Sequence, residues 1–200
     1  IDGPDQWTSG TLFPQSSRKV ARAIQSASGV SPVLVLANLS GFDGSPESMR
    51  RQQLEFGAEI GRSVVNFDGP IIFCVISRYH GGAYVVFSQA LNDRLTAVAV
   101  KGSYASVIGG GPAAAVVFPR LVKKRVRDDA RIQEATARLS DRTLRTASEQ
   151  AEFAALHKEV EAEIQGKVAA EFDAVHSVER AMEVGSLSGI VDPDQLRTQL

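Results

Sequence analysis

The feature that most constrains the fold is a pattern that occurs three times: an apolar segment, a glycine-rich turn and a helix-forming segment. The apolar segments cover residues 33–37, residues 70–76, and residues 95–100 with 105–108. Strands that alternate with helices in this order need crossover connections, which are typical of an α/β protein. Residues 33–37 are apolar without interruption, which predicts a strand buried on both faces.

Capping residues, prolines and glycines predict where the helices begin and end. Ser16 or Ser17 is expected to cap a helix that ends near Ser28, and Pro46 is expected to open one that continues to about Asn66. Pro119 is expected to end or kink a helix that begins near Ala113.

The last part of the chain has a different composition. Residues 121–184 are charged and rich in alanine, which predicts two or three amphipathic helices. Residues 185–193 predict a short last strand and a loop. We expect residues 1–200 to form one domain in which 121–184 is mainly helical.

Composition narrows the class of protein. The net charge of -1 gives no general attraction for nucleic acid or an anionic membrane, and no apolar run approaches the ~20 residues of a membrane span. The single cysteine, Cys74, excludes an internal disulfide and predicts a buried thiol in a reducing, cytoplasmic location. Because the chain begins with Ile1, we expect it to be a fragment or a processed form.

Common catalytic motifs are missing. The three histidines (His80, His157 and His176) have no metal-ligand spacing with cysteine or carboxylates, so no metal site is predicted. Neither a nucleophile elbow nor a phosphate-binding loop of the P-loop type occurs. The glycines at 109–111 do not complete a dinucleotide-binding motif, because position 114 is Ala114.

The turn within residues 77–86 is the strongest candidate for chemistry. Gly81 and Gly82 lie between a predicted strand and a predicted helix, where the first amides of the helix have no intrahelical acceptor. The amides of Gly82 and Ala83 could therefore stabilise an oxyanion, and this role requires both to be exposed at the mouth of a cleft. The alternative is that the glycines only permit a tight connection.

Several segments resemble one known family. They are residues 36–42, 56–58, 78–84 and 106–111, and, farther on, residues 178–181 with 190–193. From Thr11 to about Arg120 the chain resembles the C-terminal half of the carboxyltransferase of biotin-dependent acyl-CoA carboxylases, such as acetyl- and propionyl-CoA carboxylase. The order and spacing of the segments carry the resemblance, and residues 121–175 contribute little to it.

The resemblance implies a crotonase-like α/β fold, a superhelix of repeated β-β-α units with additional C-terminal helices. It implies a domain that receives carboxybiotin, while acyl-CoA binds an N-terminal carboxyltransferase domain that this chain lacks. Biotin carboxylase and biotin carrier domains are the expected partners, in a homo-oligomer whose active sites form between protomers. In such enzymes the biotin nitrogen removes the α-proton of the thioester, so the protein needs no side-chain base.

The same resemblance implies site residues. It makes Gly82 and Ala83 the catalytic oxyanion donors, with a substrate and biotin site formed by Gly41, Phe42, Gly81, Tyr84, Gly109 and Gly110. Phe42 is expected either to line the biotin pocket or to belong to the core. His80 stands where relatives have residues such as tyrosine, and it is expected to have a pocket-facing role or a structural or solvent-facing one. Arg78 is expected to contact a carboxylate or the partner domain, or to form a surface or interhelix salt bridge.

Two other functions stay open from the sequence. One is a stand-alone crotonase-type hydratase or decarboxylase of CoA thioesters, which would need an acid or base beside the turn. His80 is the only candidate there that titrates near neutral pH, and the pair of glutamates used by hydratases has no counterpart. The other is a non-catalytic domain that assembles a carboxylase complex through its helices.

Overall fold

The computed structural model describes residues 10–140 and 146–199, which divide into two compact units. The first unit comprises residues up to 109 and from 175 onward, and the second comprises residues 110–174. The first unit contains β1 (Thr11–Leu12), α1 (Pro14–Ala27), β2 (Val33–Leu39), β3 (Gly41–Phe42), α2 (Pro46–Arg50), α3 (Gln53–Val65), β4 (Ile71–His80), α4 (Gly82–Val86), β5 (Leu95–Val100), β6 (Tyr104–Ser106), α9 (Val178–Glu183), β7 (Gly189–Val191) and α10 (Leu196–Gln199). The second contains α5 (Gly110–Pro112), a π-helical turn (Ala113–Val117), α6 (Pro119–Asp128) and α7 (Ala130–Ser140), and α8 (Ala147–Val175) ends at its boundary.

The strands of the first unit pair in parallel. The main sheet has the order β2-β4-β5-β7, and β6 pairs with the carboxyl half of β4, where His80 lies opposite Ser106. The short strands β1 and β3 form a separate parallel pair. Because parallel strands end at the same edge of a sheet, the turns after β2 and β4 meet there.

The helices α1 and α3 cover one face of the main sheet. Ala21 and Ile24 of α1 and Ile60 and Val64 of α3 share one buried cluster with Phe73 of β4. On the opposite face of β2, Leu34 is 52% exposed and Leu36 is 53% exposed, so the prediction of a strand buried on both faces is wrong. Side chains alternate between the inward and outward faces along β2, but the outward positions are also leucine, so the sequence shows one continuous apolar run.

The strand β4 is longer than predicted. It continues past Ile76 to His80, and the helix α4 begins only at Gly82. The extension exists because residues 78–80 pair with β6, a contact with residues 104–106 that local periodicity does not reveal. The strand therefore carries His80 directly to the glycine turn.

The predicted helix from Pro46 to Asn66 is two helices. It breaks at Gln52, whose φ of 67° lies in the left-handed region that side chains rarely adopt. After the break, Gln53 is buried and its Nε2 donates to Ser17 Oγ at 3.0 Å, whereas Leu54 is 73% exposed. The break thus places α3 so that its buried face meets α1.

The second unit, residues 110–174, is the helical unit. It has its own apolar core, which includes Val122 and Val126 of α6 and Val160 and Val168 of α8. The π-helical turn ends at Val117 with Phe118 as its C-cap, and α6 begins at Pro119, which confirms the boundary predicted there. The helices described within residues 121–184 are most of α6, and α7, α8 and α9, in place of the two or three predicted.

The thiol of Cys74 lies inside the sheet and is fully buried, as predicted. Burial raises the pKa of this thiol because it disfavours the charged form. We therefore expect iodoacetamide to alkylate Cys74 at least about 100-fold more slowly in the native protein than in urea. Mass spectrometry of the alkylated peptide measures both rates, and equal rates would contradict the placement.

Candidate active site

The turn between β4 and α4 is the centre of the candidate site. Gly81 has φ 65° and ψ −143°, a conformation suited to glycine, and its amide donates to Val107 O at 2.9 Å. Its carbonyl oxygen accepts from Tyr84 N at 3.0 Å. No hydrogen bond joins the amide of Gly82 or of Ala83 to any residue that the structure describes. Two consecutive main-chain donors are therefore available at this turn.

The exposure of these two residues differs from the expectation. Gly82 is half-buried, but Ala83 is fully buried, so the prediction that both are open to solvent is wrong for Ala83. The reason is that α4 turns the Ala83 methyl group into the main core of the first unit. The amide of Ala83 thus lacks both a hydrogen-bond partner among the described residues and contact with bulk water.

Two glycine turns lie back to back at this edge of the sheet. A Cβ on Gly81 would lie 3.0 Å from the Gly41 Cα, and a Cβ on Gly41 would lie 3.4 Å from the Gly81 Cα. Gly41 also has a positive φ of 117°. Larger residues at either position would separate the turn after β2 from the turn after β4.

The ring of Phe42 lies against the turn. A Cβ on Gly82 would lie 2.3 Å from Phe42 Cδ2, and one on Gly57 of α3 would lie 3.1 Å from Phe42 Cε2. The ring of Phe42 therefore fits between Gly57 and Gly82 and packs against both. Sequence reasoning missed Gly57 as a site residue, although a glycine inside a helix is a signal of close approach.

The loop after Phe42 is held by hydrogen bonds. Ser45 caps α2 by accepting a bond from Ser48 N at 3.2 Å, and its hydroxyl also donates to Asp43. Hydrogen bonds from the side chains of Ser45 and Ser48 hold the pKa of the Asp43 carboxyl below its ordinary value. The carboxylate thus stays ionised and fixes the loop that carries Phe42.

Two tyrosines pack on the far side of the turn. The rings of Tyr79 and Tyr84 lie 4.8 Å apart between centroids, and Tyr79 Oη donates to Tyr84 O at 3.2 Å. Burial, with a smaller effect of Tyr84, raises the pKa of Tyr79 well above its ordinary value. Tyr79 therefore stays neutral and serves as a hydrogen-bond donor that braces α4.

His80 lies on the other side of the turn and is 6% exposed. Its Nδ1 is 3.2 Å from both the carbonyl oxygen and the hydroxyl of Ser106. A Cβ on Gly109 would lie 3.2 Å from His80 Cδ2, so the imidazole packs against that glycine. Sequence reasoning did not select Ser106, because its role depends on the pairing of β4 with β6.

The structure brings most of the predicted site residues together around the turn. They are Gly41, Phe42, Gly81, Gly82, Ala83, Tyr84 and Gly109. Gly110 belongs to the helical unit, where its amide donates to Asp173 Oδ1 at 2.8 Å. Arg78 is exposed on β4. The roles assigned to all of these residues stay predictions.

The described part of the chain has neither a metal-binding cluster nor a helix that could span a membrane. Among residues 10–140 and 146–199, no three histidine, cysteine or carboxylate side chains come together to hold a metal ion. None of the helices described there combines the length and apolar character needed to cross a membrane.

Comparison with known sequences indicates the family. The model of the carboxyl transferase domain matches residues 5–200. Acetyl-CoA carboxylase of Saccharomyces cerevisiae is 28% identical over 138 residues, which make up 66% of this chain and 6% of that protein. Acetyl-CoA carboxylase of Cryptosporiopsis sp. is 30% identical over 88 residues, which make up 42% of this chain and 4% of that protein. The chain therefore spans a small part of these relatives.

Solved structures show the same fold. The β subunit of geranyl-CoA carboxylase from P. aeruginosa superposes with a TM-score of 0.66 at 21% identity, covering 95% of this chain and 31% of that subunit. Transcarboxylase 12S, a hexamer solved with hydrolysed methylmalonyl-CoA bound, superposes with a TM-score of 0.67 at 18% identity, covering 98% of this chain and 31% of that one. The predicted crotonase-like class is confirmed. This chain belongs to the carboxyl transferase domain family.

Proposed function

We propose that this chain is the carboxybiotin-side half of a carboxyltransferase that moves a carboxyl group from carboxybiotin to the α-carbon of an acyl-CoA, such as acetyl- or propionyl-CoA. The observation that carries the proposal is the pair of amides at Gly82 and Ala83, which have no hydrogen-bond partner among the described residues. The family match over residues 5–200 supports it.

The two amides differ in exposure: Gly82 is half-buried, whereas Ala83 is fully buried and lacks the exposure that the oxyanion role was predicted to need. A buried main-chain N–H without a partner costs about 1–3 kcal/mol, and such groups are rare in folded proteins. A bound anionic oxygen would offset this cost. A donor fixed in advance toward such an oxygen contributes about 3–4 kcal/mol to a transition state.

These residues fit biotin as a ligand, because the unpartnered amides match an oxygen that becomes negatively charged. Gly82 and Ala83 would hold the ureido oxygen, and the ring of Phe42 would pack against the turn that carries these two residues. When bound, carboxybiotin supplies the carboxyl group and then a basic nitrogen for the α-proton of the thioester. The chain's own contribution is to orient two donors and to keep water from Ala83.

Among the described residues, the turn has no pair of carboxylic acids of the kind that a hydratase uses. Tyr79 stays neutral because burial raises its pKa, and His80 engages Ser106 through Nδ1. A hydratase would need a carboxylic acid or a base directed at the substrate. The arrangement therefore favours carboxyl transfer, in which the protein supplies electrostatic stabilisation.

The proposal includes partners. The acyl-CoA half would come from an N-terminal carboxyltransferase domain, in a homo-oligomer whose active sites lie between protomers. Biotin carboxylase and biotin carrier domains would deliver the carboxyl group. Transcarboxylase 12S is described as a hexamer, which is consistent with such an assembly.

The proposal is tested with the intact protein in the reverse direction. Malonyl-CoA or methylmalonyl-CoA is mixed with free biotin, and formation of acetyl- or propionyl-CoA is followed by liquid chromatography. We expect turnover that requires biotin and saturates with it. Hydration of a 2-enoyl-CoA, or loss of CO2 without biotin, would contradict the proposal in favour of a stand-alone enzyme. Binding to carboxylase subunits without any turnover would identify an assembly domain instead.

A further inference from the structure

The hydrogen bonds of His80 identify which ring nitrogen carries the proton. Nδ1 lies 3.2 Å from Ser106 O, and a carbonyl oxygen can only accept. The Ser106 hydroxyl lies 3.2 Å from the same nitrogen, but its proton is donated to Ile108 O at 2.6 Å. Both contacts therefore require that Nδ1 is the donor, so the Nδ1–H form of the imidazole is present.

This donor connects two segments of the candidate site. His80 directly precedes the glycine turn, and Ser106 directly precedes the loop of residues 107–109. A second bond, from Gly81 N to Val107 O at 2.9 Å, joins the same two segments one residue later. The imidazole also packs against Gly109, where a Cβ would lie 3.2 Å from Cδ2. In addition to the pairing of residues 78–80 with β6, the turn is thus held by the contacts of His80 with Ser106, by the main-chain bond from Gly81 to Val107 and by packing on Gly109.

We propose that His80 is a positioning residue, whose Nδ1–H bond to Ser106 orients the turn so that the amides of Gly82 and Ala83 point at the oxyanion. The inference rests on the proposed function for the identity of that oxyanion. The geometry of the turn is independent of the proposed function, because these bonds hold the turn whatever ligand binds.

Two substitutions separate the hydrogen bond from simple filling of space. The amide nitrogen of asparagine occupies nearly the position of Nδ1, so His80→Asn keeps a donor for Ser106 O. Phenylalanine keeps a ring against Gly109 but has no donor, so His80→Phe removes the bond to Ser106. His157→Phe is the matched control, because His157 is an exposed residue of α8 in the helical unit.

The experiment measures amide hydrogen exchange at Gly81 and the steady-state kinetics of carboxyl transfer in the intact protein. With His80→Phe we expect exchange at Gly81 to be about tenfold faster, because one supporting hydrogen bond is lost. We expect kcat to fall about 10- to 100-fold because the donors are misaligned, while KM for acyl-CoA changes less than about threefold. With His80→Asn and His157→Phe, both exchange and kcat stay near their original values.

Equal exchange at Gly81 in the wild-type protein and His80→Phe would overturn the positioning role. Equal losses of kcat with His80→Asn and His80→Phe would also overturn it, because a donor at this position would not rescue a residue that only fills space. A wild-type protein without carboxyl transfer would overturn the proposed function instead, and the exchange pattern would still decide whether His80 positions the turn.

Discussion

Proline at position 82 is expected to lower kcat of carboxyl transfer by about 10²–10³-fold relative to alanine at the same position, when Phe42 is alanine in both proteins. Both variants carry a Cβ at position 82, and only proline lacks the N–H. Position 82 is the first residue of α4, where the backbone tolerates proline. The difference between the two variants therefore isolates one oxyanion donor.

The Phe42→Ala background is necessary because the ring of Phe42 occupies the space of any side chain at 82. A Cβ on Gly82 would lie 2.3 Å from Phe42 Cδ2, so Gly82→Pro alone would combine a clash with the loss of a donor. Phe42→Ala alone is the reference for both double variants, and near-ultraviolet circular dichroism checks that all three fold. Equal kcat for the proline and alanine variants would rule out the Gly82 amide as an oxyanion donor.

Gly81→Ala is expected to lower the free energy of unfolding by about 3 kcal/mol or more. Its φ of 65° with ψ of −143° lies outside the regions that residues with a Cβ readily adopt. The added Cβ would also lie 3.0 Å from the Gly41 Cα, and a main-chain atom cannot move aside as a side chain can. Urea unfolding followed by circular dichroism measures the loss.

Gly29→Ala is the matched control for this prediction. Gly29 also has a positive φ, 70°, but a Cβ there would meet nothing within 4 Å. Gly29→Ala is expected to lower the free energy of unfolding by about 1 kcal/mol, which is the cost of the left-handed backbone conformation alone. If Gly81→Ala costs no more than Gly29→Ala, the two glycine turns are not packed against each other as described.

Local signals predicted the two unpartnered amides better than they predicted the boundaries of the elements. The glycine pair after an apolar strand indicated free amides at Gly82 and Ala83, because chain geometry alone leaves the first amides of a helix without acceptors. Neither the length of β4 nor the break at Gln52 could be predicted in this way. Both depend on partners far along the chain: Ser106 for the end of β4, and Ser17 for Gln53 after the break.

The sequence by itself determined the kind of protein this is: a parallel α/β chain of the carboxyl transferase domain family, with its glycine turns at the ends of the strands. The α/β class and the glycine turns follow from composition and spacing along the chain, which are readable locally, and the family follows from the resemblance of its segments, which the family match over residues 5–200 bears out. Only the tertiary structure decided that Gly41 meets Gly81, that Phe42 fits between Gly57 and Gly82, and that His80 bonds to Ser106. These contacts join residues from 15 to 40 positions apart along the sequence, and parallel pairing of the strands brings the turns after β2 and β4 to one edge of the sheet.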